Sequence, residues 1–157
     1  MEGASDRIVL ELLARRAGRD LGSEGIEIVP IGGAQAIRRA AAQHEGRRVV
    51  GLCDAGEERW FRRVLGDATY VCTADLEDEL IRALGADRVE EVVAAQGELA
   101  TFRNFQNQPA WRGRPVEAQL RRWLQNGGRY LRYPPALIAA LEPDELPQPL
   151  AGVLGHV

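Results

Sequence analysis

Three groups of acids in this 157-residue chain stand where a parallel sheet would gather them. Asp54 ends the apolar run Val49-Val50-Gly51-Leu52-Cys53, and Glu57 and Glu58 open the helical stretch that follows. Asp75, Glu77 and Asp78 come after a second strand-like run, Thr69-Tyr70-Val71-Cys72-Thr73. Glu2 and Asp6 lie four apart, just before and at the start of a helical segment. Ligands of open parallel sheets bind beyond the carboxyl ends of the strands, so all three groups are expected at one edge. Carboxylate oxygens gathered without histidine or cysteine suit a hard cation, Mg²⁺ or Mn²⁺ above all. The plain alternative for each group is that acids at a helix N-terminus complement the helix dipole.

Composition removes several other chemistries. All 20 basic side chains are arginine. Without lysine there is no Walker A phosphate loop, and neither Schiff-base nor pyridoxal chemistry has its amine. His44 and His156 are the only histidines and no C-x-x-C occurs, which argues against zinc. Cys53 and Cys72 sit in apolar, strand-like runs and make no disulfide framework; packing is the better role for Cys53. No apolar run approaches the roughly 20 residues of a membrane span. The N-terminus has no basic-then-apolar leader pattern. A cytoplasmic domain without a membrane partner is expected.

The net charge of −3 hides a contrast. Residues 54–98 hold 12 acids against 5 arginines, whereas residues 103–132 hold 7 arginines against Glu117 alone. Arg112, Arg114, Arg121, Arg122, Arg129 and Arg132 are the candidates for contact with phosphates, which guanidinium forks match well. The competing reading is that several of these arginines pair with the acids of 54–98 inside the fold. Trp111, set among Arg112 and Arg114, is the aromatic placed to stack on a base or a partner. Trp60 and Trp123 fall on apolar helix faces and read as core.

Around these residues the pattern alternates between strand and helix. Ser5 is placed to cap a first helix ending at Gly18, and strands are expected near 26–31, 48–53 and 69–73. Gly32-Gly33 between strand and helix reads as a tight turn, a phosphate cradle being the alternative. Helices are expected after each strand, at about 76–84 and 87–100, at 115–125 and from Pro134 to Leu141. A loop spans Asn104 to Pro115, and a proline-rich stretch leads to a short tail. The alternation predicts an α/β fold with a mainly parallel sheet flanked by helices. Residues 1–100 would form that core and 101–157 a basic helical and loop extension packed on the same domain.

Glu2-Gly3-Ala4-Ser5-Asp6, Cys53-Asp54-Ala55-Gly56-Glu57-Glu58 and Asp75-Leu76-Glu77-Asp78-Glu79-Leu80 occur in an order and spacing that resemble the Toprim domain of OLD-family (overcoming lysogenization defect) endonucleases. Arg103-Asn104-Phe105-Gln106 and Arg129-Tyr130-Leu131-Arg132-Tyr133 are similar to small stand-alone members. The resemblance implies a Toprim, Rossmann-like fold with a helical C-terminal extension, and metal-dependent cleavage of DNA phosphodiesters. It implies, too, that the phosphates met by the arginine candidates are DNA's. It also implies Glu2, Asp6, Asp54 and Glu77 as metal ligands with Asp75 and Asp78 supporting, and Glu57 as a substitute ligand. Glu2 and Asp54 would be catalytic, with Arg129 stabilising phosphate charge. Three positions depart from the family pattern. Gly56 stands where D-x-D places a second acid, Tyr130 stands at the expected lysine, and Met1 alone precedes Glu2 where an apolar strand is usual.

Two functions follow as expectations. One is an endonuclease-like domain using Mg²⁺ or Mn²⁺ on DNA; the other is a non-catalytic interaction module in a DNA-processing or defence complex. Long family members carry an ATPase in the same chain, so a separate ATPase subunit is an expected partner, with self-association left open.

Overall fold

The computed structural model describes residues 3–157, and the chain divides into two compact units. The first comprises residues up to Leu76 together with Pro147–Val157; the second is Glu77–Leu146. The boundary expected at residues 100 and 101 falls inside the second unit, and the last eleven residues return to the first.

In the first unit, α1 (Ala4–Arg16) buries Val9, Leu10, Leu13 and Ala14. Its N-cap is Gly3 rather than Ser5, because the Asp6 carboxylate accepts the Gly3 amide at 2.9 Å and closes the first turn two residues earlier. A short 3₁₀ turn (Ala34–Ala36) then leads into α2 (Ile37–Gln43). Two strands follow, β1 (Gly51–Asp54) and β2 (Thr69–Cys72), joined through α3 (Glu58–Leu65). They pair in parallel, Gly51 opposite Thr69 and Asp54 opposite Cys72. Helix α10 (Gln148–His156) packs on both strands and buries Leu150, Val153 and Leu154. The proline-rich tail is therefore helical, with Pro149 in the first turn, where a missing N–H costs nothing.

The α/β class is present, but the sheet is smaller than the sequence pattern suggests. Among the described residues it has two strands. Residues 26–31 are half-buried at Ile26, Ile28, Val29 and Ile31, yet they enter no ladder. Pro30 within that run has no N–H to donate. Val49 and Val50 also precede the ladder rather than belonging to it.

The second unit is helical. It contains α4, which runs from Leu76 to Leu84 and so begins at the unit boundary, α5 (Ala86–Ala95), α6 (Leu99–Gln106), α7 (Val116–Leu124), α8 (Arg129–Arg132) and α9 (Pro134–Ala140). The single helix expected at 87–100 is two, broken at Gln96-Gly97, where Gly97 adopts φ +73°. The second of them runs to Gln106, which shortens the expected loop to 107–115. Val89, Val93, Phe102, Leu120, Trp123 and Leu137 fill the core.

Two glycines let helices of the first unit lie close on its strands. A Cβ on Gly51 would sit 2.6 Å from the Phe61 ring of α3, and one on Gly152 would sit 2.2 Å from the Tyr70 ring of β2. The Tyr70 hydroxyl also shares a 2.8 Å hydrogen bond with His156 Nδ1, which ties the far end of α10 to the same ring. Gly152→Ala is therefore expected to destabilise the protein by about 1–3 kcal/mol in urea denaturation, as overpacking does. Gly155→Ala, on the same helix with nothing within 4 Å of its Cβ, is expected to be neutral or mildly stabilising.

Candidate functional site

Parallel pairing sends both strands out at one edge of the sheet. Asp54 is the last residue of β1, and Asp75, 7% exposed, comes three residues after β2. Glu77 and Asp78 occupy the first turn of α4 immediately afterwards. Asp54 and Asp75 thus follow the two strands at one edge of the first unit, whereas Glu77 and Asp78 belong to the second.

Several of these acids already have local duties. Glu57 lies in the turn after Asp54, and its Oε1 accepts the Ala34 amide at 3.2 Å, next to the Gly32-Gly33 turn. That contact ties the end of β1 to the start of α2 across the cluster Ala34, Ile37, Cys53 and Phe61. Asp6 closes the first turn of α1. In α4, Arg82 bridges Asp78 at 2.9 Å and the buried Glu79 at 2.7 Å. Glu2 lies outside the described residues. Among the described residues no group of three or more His, Cys, Asp or Glu side chains is placed to hold a metal ion. A magnesium site, however, needs only one or two carboxylates beside water and substrate phosphate, and the all-oxygen donor chemistry of Asp54 and Asp75 fits that requirement. Beside Asp54, burial and the neighbouring acids Glu57 and Asp54 push the Cys53 thiol up to about 12, which makes it a packing group and no nucleophile.

The basic segment lies in the second unit, and several of its arginines have partners within that unit. Arg103 pairs with Glu90. Glu98 gathers three donors: Tyr133 Oη at 2.7 Å, Arg132 Nη2 at 3.1 Å and Arg129 Nε at 3.2 Å. The Arg129 guanidinium also lies 3.9 Å from the Trp123 ring centre. Glu98 is the residue that reading the chain by charge blocks passed over. It counted among the acids of 54–98, and its signal was its place between two helices, opposite the R-Y-L-R-Y run of α8. Arg103, Arg112, Arg114, Arg122 and Arg132 are exposed, the first and last of them while paired with Glu90 and Glu98. Arg112 and Arg114 donate to the Asn107 and Ala110 carbonyls at 3.0 and 2.8 Å, and Arg121 is half-buried on α7. Trp111 is held by stacking on Phe105 at 5.1 Å, and its carbonyl accepts from the buried Gln119 amide at 2.8 Å.

Residues 1–54 match the family model of the overcoming lysogenization defect protein-like TOPRIM domain. This first third of the chain resembles an OLD-like TOPRIM domain. The match ends on Asp54, so the aspartate closing β1 lies inside the TOPRIM stretch, while Asp75, Glu77 and the arginine-rich segment lie beyond it. TOPRIM domains generally bind divalent metals. No curated protein and no solved structure matches the chain. Among the described residues no helix is long and apolar enough to cross a membrane.

The Glu98 cluster has a pH signature. The hydrogen bond from Tyr133, followed by those from Arg132 and Arg129, holds the Glu98 carboxyl at about 2, below its ordinary 4.5. Burial, then the carboxylate, raises the Tyr133 phenol. A depressed carboxyl stabilises the fold fully above its unfolded value, and that contribution is lost as pH falls through the folded one. Glu98→Gln is therefore expected to lower the melting temperature at pH 7. The gap to the parent protein should close as pH is lowered from about 4.5 toward 2, read by thermal melts across that range.

Proposed function

We propose that this protein is a TOPRIM nuclease-like domain that acts on DNA phosphodiesters with Mg²⁺ or Mn²⁺. The observation that carries the reading is the family match ending at Asp54, on a parallel strand whose carboxyl edge also receives Asp75. Asp54 and Asp75 would hold the ion, with Glu2 as a further carboxylate. A divalent ion bound there would polarise the scissile phosphate and lower the pKa of attacking water. Glu2 is the proposed proton-transfer group, since a carboxylate near the reacting atoms can take a proton as well as bind. Asp6 and Glu57 act through the backbone instead, holding the start of α1 and the turn after β1. Arg112, Arg114, Arg121 and Arg122 are the proposed phosphate contacts.

The engagement of Arg129 and Arg132 with Glu98 favours a second reading. Arginines held by a carboxylate are not available to a transition state until that bond is given up, which suits a non-catalytic module working with a separate ATPase or further copies of itself.

Millimolar Mn²⁺ is expected to raise the melting temperature by a few degrees, because an ion that binds only the folded state stabilises it by mass action. Asp54→Ala should erase most of that rise while leaving the metal-free melt close to the parent's. The same protein should nick supercoiled plasmid with Mn²⁺, and Asp54→Ala should not. A metal-dependent rise with plasmid left intact would select the module reading, and no rise with any divalent ion would remove the metal site itself.

A further inference from the structure

The loop 107–115 of the second unit carries Trp111 among Arg112, Arg114 and the exposed Asn107 and Gln108. Its shape is fixed from inside. The buried Gln119 side chain of α7 accepts from the Gln106 amide at 2.6 Å and donates to the Trp111 carbonyl at 2.8 Å. The indole is rooted in the same way. It lies 5.1 Å from the Phe105 ring, Phe105 stacks at 6.5 Å on the fully buried Phe102, and Phe102 meets Trp123 at 5.4 Å. A half-buried ring at the end of a column of packed rings has little freedom left to lose when a ligand meets it.

Three features of the loop select its ligand. Arg112 and Arg114 are exposed, and each gives one N–H to a loop carbonyl, those of Asn107 and Ala110. A guanidinium has five N–H groups, and neither arginine meets a carboxylate among the described residues, so both keep donors for an anion. The Arg114 guanidinium lies over the indole at 5.1 Å, which sets a phosphate donor and an aromatic ring within the span of one nucleotide. The loop also lacks the apolar area that a protein partner would cover. Among the described residues the exposed large apolar side chains are Tyr130 and Leu131, both on α8. Resting on the proposed action on DNA, we propose that this loop binds single-stranded DNA, an unpaired base stacking on Trp111 and the flanking phosphates meeting Arg112 and Arg114. In a duplex the bases stack on one another and close their faces to the ring. Trp60 has Arg59 over it at 3.7 Å but is a different case, packed on the Ala34, Ile37, Cys53 and Phe61 cluster and following Glu57 and Glu58 in the chain.

The test is the fluorescence anisotropy of a labelled oligothymidylate of about 12 nucleotides, titrated with the full chain in EDTA so that no strand is cut. Saturable binding is expected, weakening as salt rises and several-fold tighter than to a duplex of the same length. An oligonucleotide of equal length and charge, with abasic sites in place of its bases, should bind roughly tenfold more weakly. Trp111→Ala should remove that difference, and Trp111→Phe should restore most of it. Arg112→Gln and Arg114→Gln, at exposed positions, should each lower the slope of log affinity against log salt by about 0.7. Should Trp111→Ala fail to fold, these two variants and the abasic comparison still decide the matter. Arg59→Gln should leave binding as it is. Because no metal is present, a parent protein that leaves plasmid intact with Mn²⁺ would count against catalysis and not against this loop. Nicking by a protein that binds single strand and duplex equally would remove the loop's role and leave the nuclease reading standing. Equal affinity for abasic and intact strands would overturn the proposal in favour of phosphate contact alone. No saturable binding, or displacement by oligoglutamate as readily as by unlabelled oligothymidylate, would overturn it outright.

Discussion

A parallel ladder of four residues on each side, Gly51–Asp54 against Thr69–Cys72, sets the direction of everything around the candidate site. A two-stranded sheet is marginal on its own in water and needs a packed face to persist. Here α3 and α10 supply that packing, and both approach closely because a strand or helix position lacks a side chain. Gly51 admits Phe61 and Leu65, and Gly152 admits the Tyr70 ring. Once the ladder holds, Asp54 and the turn that leads to Asp75 must leave from the same edge. The acid edge is thus a consequence of packing several residues away from it.

Glu57 shows how that constraint passes from fold to site. Its carboxylate accepts the Ala34 amide, joining the end of β1 to the start of the next helical layer over the Cys53 and Phe61 cluster. An acid used this way fixes the backbone that carries Asp54. It holds the turn that follows Asp54, and Asp6 does the same for the first turn of α1. Acid type and spacing along the chain are alike for a ligand and for a cap; only the hydrogen-bond partner separates them.

That difference governs what was legible in the sequence. The continuous apolar run ending in Cys53 announced β1, and the helical periods of 58–65, 76–84 and 116–124 were plain because their buried residues recur at helical spacing. Residues 26–31 carry an equally good strand pattern, but a strand exists only when another backbone lies beside it, and pairing is not a local property. The same limit applies to the domain boundary. The change from strands to helices near residue 100 was visible, whereas the return of α10 to the first unit rests on contacts with β1, β2 and α1 that no local window contains.

The charge contrast between residues 54–98 and 103–132 illustrates the point in electrostatic form. Counted along the chain, it suggests an acidic body with a free cationic arm. In the structure, Arg103, Arg129 and Arg132 meet Glu90 and Glu98, acids of that centre. Each of the three tryptophans also has a guanidinium near its ring, Arg59 at Trp60, Arg114 at Trp111 and Arg129 at Trp123, at 3.7, 5.1 and 3.9 Å. Such contacts depend on arginine. Its planar, weakly hydrated fork stacks on an aromatic face while still donating to a carboxylate or carbonyl, which a compact, strongly hydrated ammonium does far less well. In a chain whose cations are all arginine, a basic segment is therefore partly structural. Arg112, Arg114 and Arg122, which meet no carboxylate among the described residues, are exposed on the loop and helix around Trp111.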